Sequence, residues 1–304
     1  MYLPRRPSQT QFVPLRGLSY HVRTWGTPQA GQPPLLMVHG WMDVSASYQF
    51  VVDALAQDRW VVAPDWRGFG LTSDARDNFW FPDYLADLDA LIDHLQTTHG
   101  LGDTPIDLVG HSMGGNVVMA YAGVRPQRIR RLVNLEGFGM PATKPAQAPG
   151  RYSQWLDELK AVRQGEKALQ TYDSLAGVAR RLVKTNHRLR EDQALWLAQH
   201  WARPNADGRW AILGEPGHKV VNAQLYRLDE MQAVFQRITA PVLAVEAADD
   251  SLGQWWKGRY TLTEYHERLQ VVPDCRVAVV PDAGHMLHHD QPAEVARLIE
   301  TFLA

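Results

Sequence analysis

The sequence IDLVGHSMGG, residues 106–115, joins a short apolar run to a serine that has a glycine two positions away on either side. The apolar run is typical of a buried strand, and residues 116–124 show the pattern of a helix that stops near Pro126. Gly110 and Gly114 allow a tight turn between them, in which Ser112 takes a strained backbone conformation. This turn lifts the serine hydroxyl above a sheet edge and points the first N–H groups of the helix at the same place. A plain turn in which Ser112 only caps the helix is the alternative.

Strand and helix patterns alternate on both sides of this turn. Short apolar runs that indicate buried strands occur at residues 35–38, 60–63, 106–109, 132–135, 241–245 and 277–280. Apolar residues at helical spacing lie between them, and a closing helix is expected over Pro292–Leu303. Repeated strand–helix units with short connections predict an α/β fold with a doubly wound, mostly parallel sheet and helices on both faces.

The pattern changes after the fourth strand. Residues 139–150 are rich in Pro, Ala and Gly and are typical of a linker, and the region that follows has mainly helical signals with no convincing buried strand. Strand signals return at residue 241, so a separate C-terminal helical domain is not expected. We predict an α/β core formed by residues 1–140 and 235–304, with a helical insertion at 141–234.

A serine hydroxyl needs a neighbouring base to act as a nucleophile at neutral pH. Seven histidines follow Ser112, and His285 is the best placed because it comes directly after a predicted strand, at the sheet edge where Ser112 emerges. The base in turn needs a carboxylate to fix its tautomer. Two acids follow strands: we prefer Asp250 as this group and keep Glu136 as the alternative.

Acyl transfer also needs hydrogen-bond donors for the developing oxyanion. The backbone N–H of Met113 is the first candidate, and that of Trp41, in the loop after the first strand, is the second. Candidate substrate-binding residues are His39, His111 and Trp155.

Several histidines lie close together near the end of the chain. His288, His289 and Asp290 are a conceivable metal ligand set. Adjacent residues point in different directions, so we interpret this segment as a polar helix entry and expect no metal site.

The composition excludes other classes of protein. The 304 residues include 31 Lys and Arg against 33 Asp and Glu, and this net charge of −2 argues against nucleic-acid or membrane partners. One cysteine excludes an internal disulfide framework, and no apolar run is long enough for a membrane helix. Arg5 and Arg6 are not followed by an apolar stretch, so we expect a soluble cytoplasmic protein. No phosphate-cradling loop is found, so we expect no cofactor. The expected partner is a small-molecule substrate, and a homodimer is left open.

Five motifs in this order resemble the α/β-hydrolase superfamily. They lie at 39–41, 65–70, 110–115, 248–250 and 284–285, and span nearly the whole chain except the insertion. The resemblance implies an α/β-hydrolase fold whose helical insertion is a cap over the active site, with Ser112, His285 and Asp250 as catalytic triad. The cap is similar to that of serine-hydrolase-like proteins. Family members usually have Gly where this chain has Ala247, and some use an acid after the preceding strand, which keeps Glu136 in consideration.

The function expected is that of a serine hydrolase, a carboxylesterase acting on a small apolar or aromatic substrate through an acyl-enzyme. A carbon–carbon bond hydrolase of diketone acids would use the same triad. A ligand-binding member of the family with little turnover is the third reading, because a fold alone does not prove activity.

Overall fold

The computed structural model describes residues 2–304, which contain eleven strands and eleven α-helices. The strands, numbered along the chain, are Gln9–Leu15 (β1), Leu18–Trp25 (β2), Leu35–Val38 (β3), Val61–Pro64 (β4), Ile106–His111 (β5), Ile129–Leu135 (β6), Thr171–Tyr172 (β7), Ala202–Pro204 (β8), Trp210–Ile212 (β9), Val242–Ala247 (β10) and Cys275–Val280 (β11). The helices are Gln49–Ala54 (α1), Phe81–Thr98 (α2), Met113–Val124 (α3), Ala148–Arg163 (α4), Leu175–Thr185 (α5), Glu191–Trp201 (α6), Leu228–Phe235 (α7), Ser251–Trp256 (α8), Leu262–Leu269 (α9), Leu287–Asp290 (α10) and Pro292–Leu303 (α11).

Eight strands form one sheet in the order β1-β2-β4-β3-β5-β6-β10-β11. All neighbours from β4 to β11 in this order pair in parallel, while β1 and β2 are an antiparallel hairpin added to the edge. Arg16 and Gly17 join this hairpin with φ angles of 47° and 81°, the left-handed pair that suits a two-residue hairpin turn. The mostly parallel α/β sheet predicted from the sequence is therefore confirmed, and the hairpin is an addition to it.

The inner strands β3, β4, β5 and β10 are buried on both faces because helices cover both sides of the sheet. Within β3, Leu36 and Val38 point to the apolar cluster that contains residues of α2 and α3, whereas Leu35 and Met37 point to the cluster with α1 and α11. This two-residue alternation is the strand period, and it explains why β3 is apolar at every position. The carboxyl ends of the parallel strands consequently meet at one sheet edge.

The predicted insertion contains α4 to α7, but it is not purely helical. Strands β7, β9 and β8 form a small antiparallel sheet in that order, beside the expected helices. These strands are two or three residues long and mostly half-exposed or exposed, so they leave no apolar run in the sequence and agree with the expectation of no buried strand here. The boundaries at 141 and 234 stay a prediction.

The predicted insertion, residues 141–234, is called the cap below, and it packs against the core through a shared apolar cluster. Val178 of α5 and Leu197 of α6 belong to the same buried cluster as Val44 and Phe50 of the core. A second attachment is the ring of His218, which stacks between two phenylalanines, with centroids 3.6 Å from Phe69 and 3.7 Å from Phe79. The cap segment is thus fixed to the core beside the loops that follow β3 and β4.

Candidate active site

Ser112 stands between β5 and α3 with a φ of 53° and a ψ of −115°, a conformation that costs energy for a residue with a side chain. The flanking glycines allow this turn. A Cβ on Gly110 would lie 2.4 Å from the carbonyl oxygen of Gly114, and a Cβ on Gly114 would lie 2.4 Å from that of Val38. The tight strand–turn–helix expected from the sequence is present, and Ser112 is partly exposed in it.

The loop after β3 lies directly beside the serine. A Cβ on Gly40 would be 3.1 Å from Cβ of Ser112, so only glycine lets this loop approach so closely. The backbone N–H groups of Trp41 and Met113, the two expected oxyanion donors, make no hydrogen bond to any other residue in the range 2–304. The first turn of α3 carries no acidic residue, so its positive end stays available to an anion.

His285 lies in the loop after β11, and its Nδ1 is 3.2 Å from Oε2 of Glu136. Glu136 follows β6 with a φ of 55° and is almost fully buried, and its other oxygen accepts a hydrogen bond from the N–H of Ala247 at 2.7 Å. His111 holds the base from the other side, because its Nε2 donates to the carbonyl oxygen of His285 at 2.8 Å. The residue before Ser112 thus contacts the histidine directly.

Asp250, the preferred partner of His285, lies away from that histidine, and the alternative acid Glu136 is the one in contact with it. Asp250 is exposed, and its side chain accepts a hydrogen bond from the N–H of Gly253 at 2.7 Å as the N-cap of α8. Asp249 pairs with Arg188 of the cap at 2.8 Å. The chain leaves the sheet edge after β10 and carries both acids to the surface, whereas Glu136 stays under the histidine.

Burial dominates the electrostatics of the pair. Loss of contact with water lowers the pKa of His285 to about 3. It raises the pKa of Glu136 to about 7, although hydrogen bonds from Ala247 and Ser251 lower the pKa of this carboxyl. The imidazole is therefore neutral at neutral pH, as a general base has to be. Among the contacts of residues 2–304, Ser112 Oγ has no hydrogen bond to the His285 ring, a contact that in many hydrolases tightens only with substrate bound.

Two of the expected substrate-binding residues have structural contacts instead. His39 is fully buried, with Nδ1 2.7 Å from the oxygen of Gly40 and Nε2 accepting from the N–H of Trp66 at 2.8 Å. Both ring nitrogens are thus used within the fold. His111 is buried behind the base, so neither histidine is placed to touch a substrate.

Two partly exposed tryptophans belong to the loops that carry the expected site residues. The ring of Trp255 meets that of His285 edge-on at 4.1 Å and is half-exposed, and Trp41 is exposed to 51 %. Trp155, the third expected substrate contact, lies on α4 with its ring 6.1 Å from that of Trp80, at the seam between cap and core.

One group of side chains within residues 2–304 could converge on a metal ion. Single ligand atoms of Asp43, His288 and His289 all lie within 4.8 Å of one another, and all three residues are buried. Asp290, the acid expected in such a set, instead accepts hydrogen bonds from Asn186 and from the N–H of Gly284. The histidines are buried, not a polar helix entry, and burial lowers the pKa of both well below the ordinary value.

Comparison with known proteins identifies the family of this chain. A family model described as the alpha/beta hydrolase fold matches residues 33–292, and the chain belongs to this family. A serine hydrolase-like protein from Danio rerio is 26% identical over 296 residues, which cover 92% of this chain and 84% of the relative. A 2-hydroxymuconate semialdehyde hydrolase from Pseudomonas sp. is 32% identical over 133 residues, 42% of this chain and 45% of the relative.

Solved structures agree on the fold. A thioesterase domain from the curacin biosynthetic pathway superposes with a TM-score of 0.81 at 24% identity, covering 97% of this chain and 99% of the other. The protein is a hydrolase of the α/β-hydrolase superfamily. In the part of the chain that the structure describes, no helix combines the length and the apolar character that crossing a membrane requires.

Proposed function

We propose that the protein hydrolyses carboxylic esters through an acyl-enzyme, with Ser112 as nucleophile, His285 as general base and Glu136 as the acid that orients it. The single observation that carries this proposal is the 3.2 Å contact between Nδ1 of His285 and Glu136, next to a strained serine turn. A buried acid in contact with Nδ1 leaves Nε2 as the nitrogen that takes up a proton from the serine.

The reaction proceeds in two steps. Ser112 Oγ attacks the ester carbonyl carbon while its proton passes to Nε2 of His285, and the N–H groups of Trp41 and Met113 hold the oxyanion. His285 then gives this proton to the departing alcohol, which leaves the acyl group on Ser112. A water molecule, deprotonated by the same nitrogen, releases the acid and restores the serine.

The substrate class follows from the surface beside the base. The ring of Trp255 lies 4.1 Å from that of His285, and Trp41 follows Gly40 in the loop beside Ser112. Both side chains are about half exposed and supply flat apolar surface. Apolar acyl chains or aromatic groups bury such surface at roughly 25 cal/mol per Å². We therefore propose esters of apolar acids, with turnover that rises from acetate to longer acyl chains.

A series of p-nitrophenyl esters tests this function. We expect hydrolysis of short and medium-chain esters by the native protein, and loss of that activity in Ser112→Ala with an unchanged circular dichroism spectrum. Ser153→Ala, at an exposed position of α4, is the matched control and keeps full activity. Absence of turnover with every ester, or equal activity of Ser112→Ala, refutes the proposal.

A second candidate is hydrolysis of a carbon–carbon bond in a diketone acid with the same three residues. The relative that favours it is the 2-hydroxymuconate semialdehyde hydrolase, which is 32% identical over part of the chain. Turnover of such an acid without turnover of any ester supports this candidate over the first.

A further inference from the structure

A small polar cavity lies between the edge of the sheet and the cap, apart from Ser112 and His285. Its volume is about 180 Å³, room for roughly six water molecules at about 30 Å³ each. The core contributes His21 and Arg23 of β2 and Ser45 of the loop after β3, and the cap contributes His200 and Arg203. None of the proposed catalytic residues lines it.

Three of the side chains that line this cavity are more than nine-tenths buried and have an atom without a partner. These atoms are Nε of Arg23, Nε2 of His21 and Oγ of Ser45, none of which makes a hydrogen bond within residues 2–304. A buried polar group without a partner costs about 1–3 kcal/mol, and native proteins contain few of them. Nε of Arg23 and Oγ of Ser45 can both donate to a ligand that supplies acceptors, whereas Nε2 of His21 is the acceptor nitrogen of its ring because Nδ1 donates to Asp65.

The charges around the cavity favour an anion. Arg23 has no carboxylate within salt-bridge distance in the described chain, and its terminal nitrogens contact only Ser8 Oγ, at 2.6 Å, and Nδ1 of His200, at 3.3 Å. Burial lowers the pKa of Arg23 and of His200, so the histidine is neutral and accepts from the arginine. Arg203 stands exposed at the rim and donates only to backbone carbonyls among the same residues.

Asp65 is the one acid among the residues that line the cavity, and its oxygens are already used. Oδ1 accepts from the N–H of Ser45 at 2.7 Å, and Oδ2 accepts from Nδ1 of His21 at 2.7 Å and from the N–H of Leu71 at 2.9 Å. Asp65 is thus one negative charge, with its oxygens occupied, against the two positive charges of Arg23 and Arg203. The cavity therefore offers a surplus of positive charge and of donors.

We propose that this cavity binds a compact oxyanion, either tetrahedral like inorganic phosphate or planar like a short carboxylate, between Arg23 of the core and Arg203 of the cap. The anion accepts from both guanidinium groups and from Ser45, and so ties α6 and β8 of the cap to the sheet edge. The site is independent of the ester chemistry at Ser112.

Isothermal titration calorimetry with sodium phosphate and, separately, sodium acetate tests this site, at an ionic strength held constant with sodium chloride. We expect saturable binding of at least one anion, and the stronger of the two identifies the tetrahedral or the planar chemistry. Loss of one charge-assisted contact in Arg23→Gln or Arg203→Gln should weaken binding about tenfold or more. Arg203 is exposed, so its variant remains informative if Arg23→Gln does not fold.

Arg180→Gln is the matched control, since Arg180 is an exposed cap arginine on α5 outside this cavity. It should bind the anion as the native protein does. Hydrogen exchange should slow in β8 when the anion is added to the native protein, and not in Arg203→Gln. No saturable binding of either anion, or the same loss in Arg180→Gln as in Arg203→Gln, overturns the proposal.

Discussion

Replacing Glu136 with Gln separates catalysis from stability. The carboxylate accepts a hydrogen bond from Nδ1 of His285 and thereby keeps Nε2 free to take the proton of Ser112. A glutamine amide can donate toward Nδ1 instead, which favours the opposite tautomer and places the ring proton on Nε2. A base in that tautomer cannot accept the serine proton, and a change of this kind costs on the order of 10⁴ in kcat in a serine protease.

The same substitution should stabilise the fold at alkaline pH. Burial raises the pKa of Glu136 from 4.5 to about 7, so the folded protein binds more protons than the unfolded chain between these values. The stability of the native protein therefore falls as pH rises through this window, by an amount of about 3 kcal/mol at 1.36 kcal/mol per pKa unit. Glutamine has no charge to bury, so Glu136→Gln should gain about this much relative to the native protein between pH 4 and pH 8.

Two assays measure these effects, with Asp250→Asn as the control. Turnover of a p-nitrophenyl ester gives kcat, and urea unfolding at pH 4 and pH 8 gives the free energy of unfolding. Asparagine caps a helix about as well as aspartate, so the control should fold normally and keep most of its activity. A larger loss of kcat in Asp250→Asn than in Glu136→Gln refutes the assignment of the acid, and a Glu136→Gln protein less stable at pH 8 than the native one refutes the electrostatic argument.

Further predictions concern pH, the cap and the serine turn. In the native protein kcat/KM should rise with pH and inflect near 7 as Glu136 ionises, because the His285 imidazole is already neutral there, and a pH profile without that inflection contradicts this reading. His218→Ala removes two ring stacks and should lower the free energy of unfolding by about 1–3 kcal/mol. Proteolysis of the cap should then be faster than in the native protein. An unchanged rate of cleavage means that His218 does not hold the cap. Gly114→Ala puts a Cβ 2.4 Å from a carbonyl oxygen and should lower the melting temperature and abolish turnover. Gly150→Ala, where a Cβ meets no atom within 4 Å, should change neither. The same melting temperature and turnover in both variants would contradict the packing argument.

The sequence predicts the core of this fold well because strands buried on two faces leave short apolar runs. The run at 35–38 coincides with β3, and the closing helix coincides with α11. The serine turn can be predicted equally well, since a Cβ on either Gly110 or Gly114 would lie 2.4 Å from a carbonyl oxygen. Strands β7 to β9 could not be predicted in this way, because each is too short to show the two-residue alternation of a strand.

Which acid contacts His285 could not be predicted from strand ends alone. Asp250 and Glu136 both follow strands, and the choice depends on where each loop turns after its last sheet hydrogen bond. The N–H of Glu136 bonds the oxygen of Val245 at 2.9 Å, which keeps the side chain at the sheet edge. The buried cluster of Asp43 with His288 and His289 joins residues far apart in sequence, and no spacing rule could pair them.

Mass spectrometry of the protein treated with a p-nitrophenyl phosphonate ester tests the central claim most directly. The reagent reacts with a serine only where a base activates the hydroxyl and N–H donors hold the oxyanion, so it reports on the assembled site. We expect a single adduct on the peptide that contains Ser112, and none in Ser112→Ala. An unmodified native protein, or an adduct on a different residue, would contradict the account.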